Sequence, residues 1–392
     1  MITIDGKEYK TAIVHDWICN YGGAERVLEC LLEIMPNSPV YIGCYMNNQL
    51  SPKLKQVKYY PSVLQKLQNQ KKDNHTKFLP FMPTAFEAFD LNEYDIVVSD
   101  SSCCAKGVIT NPNTLHICYC HTPMRYLYEF YYEYTKEMNP LKKKLLKYFM
   151  NYLRLWDVIS ANRVDYFIAN ANNVANRIRK HYRRNAEVVY PPVDVKFFEP
   201  VEHTDDYFLC VSRLIKHKRI DLVVSAFNEL GYPLVIIGDG SELGPLKKLA
   251  KTNITFTGRI SDEEMHRYYA RCRAFIFPTE EDFGITPLEA QACGRPVIAF
   301  GKGGALETVV SGQTGVFFNE QTVEELVGAV KKFETMTFDK EICRQNALRF
   351  EKGKYVEQMR MYIEEKWKEF HDEGIPAVSI DFCKMVERDR KI

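Results

Sequence analysis

The densest concentration of chemistry-bearing residues is FPTEEDFGITPLEAQACGRPVIA, residues 277 to 299, in which seven residues separate Glu281 from Glu289. A strand is expected to end at Pro278, and a helix to begin near Pro287, because a proline's missing N–H costs nothing in a first helical turn. The amides of Phe283, Gly284, Ile285 and Thr286 then point from the helix start toward an anion, as at many phosphate sites. One carboxylate lies on the loop and the other a short way into the helix, so both can face one ligand. Taken alone, Glu281 reads equally as a solvated loop charge and Glu289 as a partner of the helix dipole.

A second cluster is cationic. In VSRLIKHKRIDLVVSAF, residues 211 to 227, Arg213 follows a strand and Lys218 precedes an amphipathic helical run. A guanidinium fork and an ammonium point charge at one strand-to-helix junction suit a diphosphate. In isolation the same residues describe a basic surface loop. Near the N-terminus, AIVHDWICNYGGAERVLECLL places Gly22 and Gly23 between a strand and a helix, where glycine allows a ligand close to the backbone. No GxGxxG accompanies them, so a dinucleotide fingerprint is absent at the position that requires one. Gly238 and Gly240 in IIGDGSELG form a further strand-to-helix turn, a weak signal by itself. His121, in CYCHTPMRYLYEFYYEY, follows a buried strand directly, and ligands of open α/β sheets bind beyond such carboxyl ends. A lone histidine is otherwise most often structural.

Taken together and in this order, these residues resemble the retaining glycosyltransferases of family 4, and the resemblance covers nearly the whole chain. It implies the two-domain GT-B fold, with Gly22 and Gly23 as the glycine-rich loop of the first domain. It implies that Arg213 and Lys218 bind the donor diphosphate, and that Glu281 and Glu289 hold donor sugar and ribose. Gly258 and Arg259, in TFTGRISDEEMHRYYARC, match the turn near which the base is held; Ser261 there is expected to cap a helix, with Glu264 completing the capping box. Among family members the chain is most similar to the mannosyltransferases of bacterial O-antigen and exopolysaccharide assembly. CHTPMRYLYE, LRLWD, NRVDYFIANANNVANRIRKHY, VVYPPVD and FGKGGALETV carry that similarity. GDP-mannose as donor and a lipid-linked saccharide as acceptor are thereby implied. One departure is Arg219, where many relatives carry glycine after the lysine.

The resemblance further implies front-face attack, with the acceptor hydroxyl deprotonated by the departing phosphate and His121 at the sugar. A carboxylate nucleophile is the other route to retention. No Asp-x-Asp element stands at a strand end, so no metal or other cofactor is expected, the charge of the leaving diphosphate being met by cations and amides. Alternatives of the same architecture are a UDP-sugar-dependent transferase and a nucleotide-sugar epimerase. A phosphorylase lacks its pyridoxal-phosphate lysine signature here. A regulatory nucleotide-sugar-binding module would be expected to lose part of the glutamate and Arg/Lys set, and none is missing.

The elements that must position these residues are legible as an α/β chain with two Rossmann-like domains facing across a cleft. Short apolar runs alternate with helical patterns, the signature of parallel sheets. Strands are expected at Thr11–Trp17, Tyr94–Ser99, Thr114–Cys120 and Asp165–Ala169, then at Tyr207–Val211, Pro233–Ile237, Ile254–Phe256, Ala274–Phe277 and Pro296–Ala299. The tandem prolines of VVYPPVDVKFFEP, residues 188 to 200, mark a connector. This divides the chain into an acceptor domain, 1–190, and a nucleotide-sugar domain, 196–353. A closing helical segment, about 354–392, is expected to join the first. A length of 392 residues suits two domains. A formal charge of +1 gives no reason to expect nucleic acid. Twelve cysteines without a CxxC pair, behind a polar MITIDGKEYK start, are expected to be reduced thiols in the cytoplasm. Residues 141–154, LKKKLLKYFMNYLR, set Leu141, Leu145, Phe149 and Leu153 every four residues among Lys142, Lys143, Lys144, Lys147 and Arg154. That pattern fits either a helix lying on an anionic membrane or a surface helix packed on the core. The first reading makes the protein peripheral on the inner face of the membrane.

Overall fold

The computed structural model describes residues 1–71, 74–129, 131–132 and 139–372. Residues 373–392, the end of the expected closing segment, lie outside the described residues. A small hairpin, β1 (Ile2–Ile4) and β2 (Lys7–Tyr9), comes first. Its turn puts both Asp5 and Gly6 at positive φ, which is why an Asp-Gly pair sits there.

The first sheet is built from β3 (Thr11–Ile18), β4 (Val40–Tyr45), β5 (Tyr59–Pro61), β6 (Ile96–Ser101), β7 (Leu115–Cys120), β8 (Tyr166–Ala169) and β9 (Ala186–Val188). All its pairings are parallel, in the order β5-β4-β3-β6-β7-β8-β9. Its central strands are buried on both faces and therefore read as unbroken apolar runs. Helix α1 (Gly23–Ile34) covers one face; α2 (Met82–Glu87) and α3 (Pro140–Ala161) belong to the layer on the other, and α4 (Asn172–Tyr182) leads to β9.

The second sheet contains β10 (Phe208–Val211), β11 (Leu234–Ile237), β12 (Ile254–Gly258), β13 (Phe275–Phe277), β14 (Val297–Phe300) and β15 (Gly315–Phe318), again parallel, in the order β12-β11-β10-β13-β14-β15. Its helices are α5 (Ile220–Leu230), α6 (Leu243–Leu249), α7 (Asp262–Arg271), α8 (Ile285–Ala292), α9 (Ala305–Thr308), α10 (Val323–Glu334) and α11 (Lys340–Leu348). Ser261 caps α7 as its sequence pattern anticipates, its hydroxyl accepting from the Glu264 amide while Glu264 accepts from Ser261. Strands β1, β2, β4, β5, β9 and β15 add to those expected from the sequence. Helix α8 begins at Ile285, two residues before the expected start, and Pro287 still lies in its first turn.

The chain crosses between the sheets twice at one place. Outbound, it passes through Val193, whose amide donates to the Phe350 carbonyl at 2.9 Å. Returning, Lys352 donates to the Val193 carbonyl at 3.1 Å and opens α12 (Lys352–Asp372). Tyr355, Met359, Ile363 and Trp367 of α12 then pack with Val27, Leu28 and Leu31 of α1 in the core of the first domain. The second domain is thus inserted between the body of the first and its last helix.

Both sheets have a point at which the strand order reverses, between β3 and β6 in the first and between β10 and β13 in the second. In open parallel sheets ligands bind outside the carboxyl ends of the strands at such a point. The loops after β3 and β7 of the first sheet and after β10 and β13 of the second carry most of the residues singled out from the sequence, while Gly238 follows β11 and Gly258 ends β12.

Candidate functional site

A cavity of about 260 Å³ lies between the two domains. Gly23, His121 and Asn170 line it from the first domain, and Glu281, Asp282 and the run from Phe283 to Thr286 from the second. The structure thus brings together the glycine loop, the histidine, the first glutamate and the helix start. Gly284, at φ 92°, makes the sharp entry into α8 that a side chain would strain. Gly23 has a packing reason: a Cβ there would stand 2.8 Å from Ile285 Cδ1 of the opposite domain. Gly22 donates its amide to Glu25 at 2.8 Å, which closes the loop onto α1.

His121 is held by partners the sequence reading did not name. Its Nε2 lies 2.5 Å from Asp100 Oδ1, and His15 Nδ1 lies 2.8 Å from Asp100 Oδ2. Burial alone would raise the Asp100 carboxyl, but His121 and His15 hold it below the usual range. Burial likewise opposes a charge on His15, but the bond to Asp100 together with the charges of Asp100, Glu25 and Asp16 outweighs it, raising His15 to about 8. Burial keeps Glu25, behind the same loop, above the ordinary carboxylate range. Asp16 has a structural task, its carboxylate accepting the amides of Ser102, Cys103, Cys104 and Ala105 at 2.6–2.7 Å. His15 lies within β3 and Asp100 near the end of β6, ionisable residues in buried strands, a signal that could have found them.

The cations gather at the same mouth. Lys218 closes a short 3-10 turn after β10 and its Nζ bonds to Glu281. Burial and the charges of Arg213 and Arg125 push the Lys218 ammonium down to about 7 despite nearby Asp282, and His217 falls to about 4 for like reasons. Arg213 and Arg125 therefore stand close enough to disfavour the charge on Lys218 and His217, an arrangement that an anion relieves. Arg125, not singled out from the sequence, comes from the first domain and reaches Asp282 at 3.6 Å and the Glu280 carbonyl at 3.4 Å. Arg219 sits at φ 54°, a left-handed position that explains the glycine common there, and its side chain meets Gln321.

Glu289 is placed differently from Glu281. It is buried on α8 and paired at 2.5 Å with Arg26 of α1, another partner the sequence reading missed. Arg177 of α4 similarly bonds Asp282, and Glu307 of α9 accepts from Asn172 at 2.8 and 2.9 Å. These contacts cross between the domains. Gly238 does not line the cavity; at φ 143° it lies where a Cβ would overlap the Ser212 carbonyl, so it supports the loop bearing Arg213. Gly258 ends β12 at the sheet edge, and exposed Arg259 stands 3.9 Å from Asp239. The structure does not bring these two to the cavity that holds His121 and Glu281.

Of the two readings of residues 141–154, the described part of the leucine and phenylalanine stripe fits the helix packed on the core. Leu153 is fully buried and Phe149 packs against the core beneath α3. The side chains of Leu141, Lys142, Lys143 and Leu145 lie outside the described residues. Among the described residues no helix is long and apolar enough to cross a membrane, and no group of three or more His, Cys, Asp or Glu could hold a metal ion.

Residues 21–197 match the model of Glycosyltransferase Family 4, and residues 194–350 match that of Glycosyl transferases group 1. An alpha-1,3/1,6-mannosyltransferase of Dictyostelium discoideum is 26% identical over 62% of this chain and 68% of its own length. A GDP-mannose-dependent alpha-(1-6)-phosphatidylinositol monomannoside mannosyltransferase of Mycobacterium tuberculosis is 36% identical over 31% of this chain, but only 36% of its own length. Among solved structures, the sucrose-phosphate synthase of Thermosynechococcus elongatus superposes with a TM-score of 0.68 at 16% identity, covering 91% of this chain and 99% of that one. An Anabaena protein solved with UDP-glucose gives 0.65 at 16% identity, with the same coverage.

Proposed function

The chain belongs to the glycosyltransferases of family 4, with the two-domain GT-B fold, and on that premise we propose that it transfers mannose from GDP-mannose, with retention, to a lipid-linked saccharide. The product on this reading is a bacterial surface polysaccharide: O-antigen, capsule or exopolysaccharide. The observation that carries it is the convergence, at one interdomain cavity, of a helix start and a histidine fixed by a buried carboxylate, with a cation cluster joined to its rim through the Lys218–Glu281 pair. The relatives' names support mannose as the sugar.

In this reading the crowded cations Arg213 and Lys218 receive the diphosphate, and the amides from Phe283 to Thr286 add donors for the charge that grows as the glycosidic bond breaks. Lys218 must exchange Glu281 for phosphate, which frees that carboxylate for the sugar hydroxyls. Glu289 takes the ribose once Arg26 gives way. His121, with Nε2 turned to Asp100, keeps its other ring nitrogen for the sugar. The acceptor hydroxyl attacks the face the diphosphate leaves and passes its proton to the departing phosphate. No metal enters these steps, so turnover is expected to survive EDTA; activity lost to EDTA and restored by Mg²⁺ or Mn²⁺ contradicts that part.

A lipid-linked acceptor places the enzyme at a membrane surface, on the cytoplasmic side where nucleotide sugars are made. A UDP-sugar donor is the second reading, favoured by the structural neighbour that holds UDP-glucose. A screen of GDP- and UDP-sugars for donor hydrolysis separates the two. GDP-mannose turnover is expected; turnover of UDP-sugars alone contradicts the mannose reading, and an isomerised nucleotide sugar without release of nucleotide would identify an epimerase.

A further inference from the structure

Helix α3 has two apolar sides. One, with Leu153 and Trp156, is buried in the first domain. The other carries Tyr148, Tyr152, Leu155 and Ile159 at helical spacing, and these are 68, 54, 59 and 58% exposed. Residues at i, i+4, i+7 and i+11 share one face of a helix, so they form a continuous stripe two to three turns long. Apolar residues scattered singly over a surface need no explanation, whereas a contiguous patch marks a contact.

We propose that this stripe is the surface by which the first domain docks on an anionic lipid bilayer. The proposal rests on the lipid-linked acceptor argued above, and the charge of the helix selects a bilayer over a protein partner. In the sequence of α3 the one acidic residue is Asp157, and it is fully buried against Lys106 at 2.5 Å. Exposed Lys144 and Lys147 stand at the N-terminal end of the stripe. Beside it opens a groove of about 530 Å³ lined by Tyr128, Tyr131, Tyr148, Lys147 and Arg154. Tyrosine rings with flanking basic residues are the chemistry of a lipid headgroup boundary, where the ring is apolar and its hydroxyl wet. A second element of the same layer repeats the pattern: Val63 and Leu67 are exposed beside Lys66, while Leu64 between them joins the core cluster that holds Leu153. The face used is therefore not the one that carries Phe149 and Leu153, because those two pack inward.

The test is co-sedimentation of the full chain with vesicles of phosphatidylcholine alone or with phosphatidylglycerol, at low and high salt. Binding to the anionic vesicles, released by salt, is expected. The double variant Leu155→Ser and Ile159→Ser should weaken it at least tenfold, and Lys144→Gln with Lys147→Gln should remove most of the preference for anionic lipid. The circular dichroism and GDP-mannose affinity of each variant should match those of the wild type. Wild-type protein that ignores anionic vesicles at low salt overturns the proposal. So does vesicle binding that both variants retain, or a concentration-dependent dimer that the serine variant abolishes. GDP-mannose affinity separates the two ideas: vesicle binding without affinity for GDP-mannose sinks the donor reading alone, and affinity without vesicle binding sinks the docking surface alone.

Discussion

Lys218 is the residue on which the chemistry turns most sharply. Burial and the charges of Arg213 and Arg125 push its ammonium down to about 7, while its contact with Glu281 favours the charged form. A diphosphate beside it favours the charged form, and donor binding therefore takes up a proton. Affinity for a nucleotide sugar, whose diphosphate does not titrate in this range, should be greatest below pH 7. It should then fall as pH rises through that value, toward about tenfold per pH unit. Calorimetry in buffers of different ionisation heat should show proton uptake near pH 7.5, and Lys218→Arg should abolish it; a pH-independent wild-type affinity would count against the clamp. Lys218→Ala and Arg213→Ala should each cost about 3–4 kcal/mol of barrier, read as kcat, while thermal unfolding stays unchanged. Wild-type kcat in both single variants would remove them from the reaction.

At the scale of elements, the site depends on turns that bring backbone close to backbone. Gly238→Ala forces a side chain into φ 143° and against the Ser212 carbonyl, neither of which can yield cheaply. It should cost more than about 1–2 kcal/mol in urea unfolding and also lower activity, through the displaced Arg213 loop. Gly23→Ala meets only the far end of the Ile285 side chain, so it should cost less, and its effect should fall on domain closure. Equal destabilisation by the two would refute this ranking. The strand-loop-helix units carrying Glu281, Lys218 and His121 were legible in the sequence because each is local: a buried run, a turn residue and a capped or proline-started helix lie within about twenty residues. Edge strands β5 and β9 were not, since their largely exposed residues form no buried apolar run. Helix α3 was ambiguous for another reason. With apolar residues on two sides, its sequence does not say which side meets the core.

The whole molecule is two sheets whose reversal points meet across one cavity, tied by Arg26–Glu289 and Arg177–Asp282. The fold and the order of motifs were legible from the sequence, but these ties were not: Arg26 and Glu289 are 263 positions apart, and nothing local announces the pairing. Asp100 between His15 and His121 escaped notice likewise, because neighbouring parallel strands bring together residues far apart in sequence. Arg26→Ala combined with Arg177→Ala should open the cleft. Solution scattering should give a larger radius of gyration, and the donor KM should rise with less change in kcat; an unchanged radius would show that the pairs do not hold the closed form. The central claim, that the interdomain cavity is the donor site, is tested most directly by a crystal structure with GDP-mannose bound. The account predicts diphosphate against Arg213, Lys218 and the amides of Phe283 to Thr286, with the sugar between His121 and Glu281. Nucleotide bound elsewhere, with those side chains still paired as they are now, would contradict it.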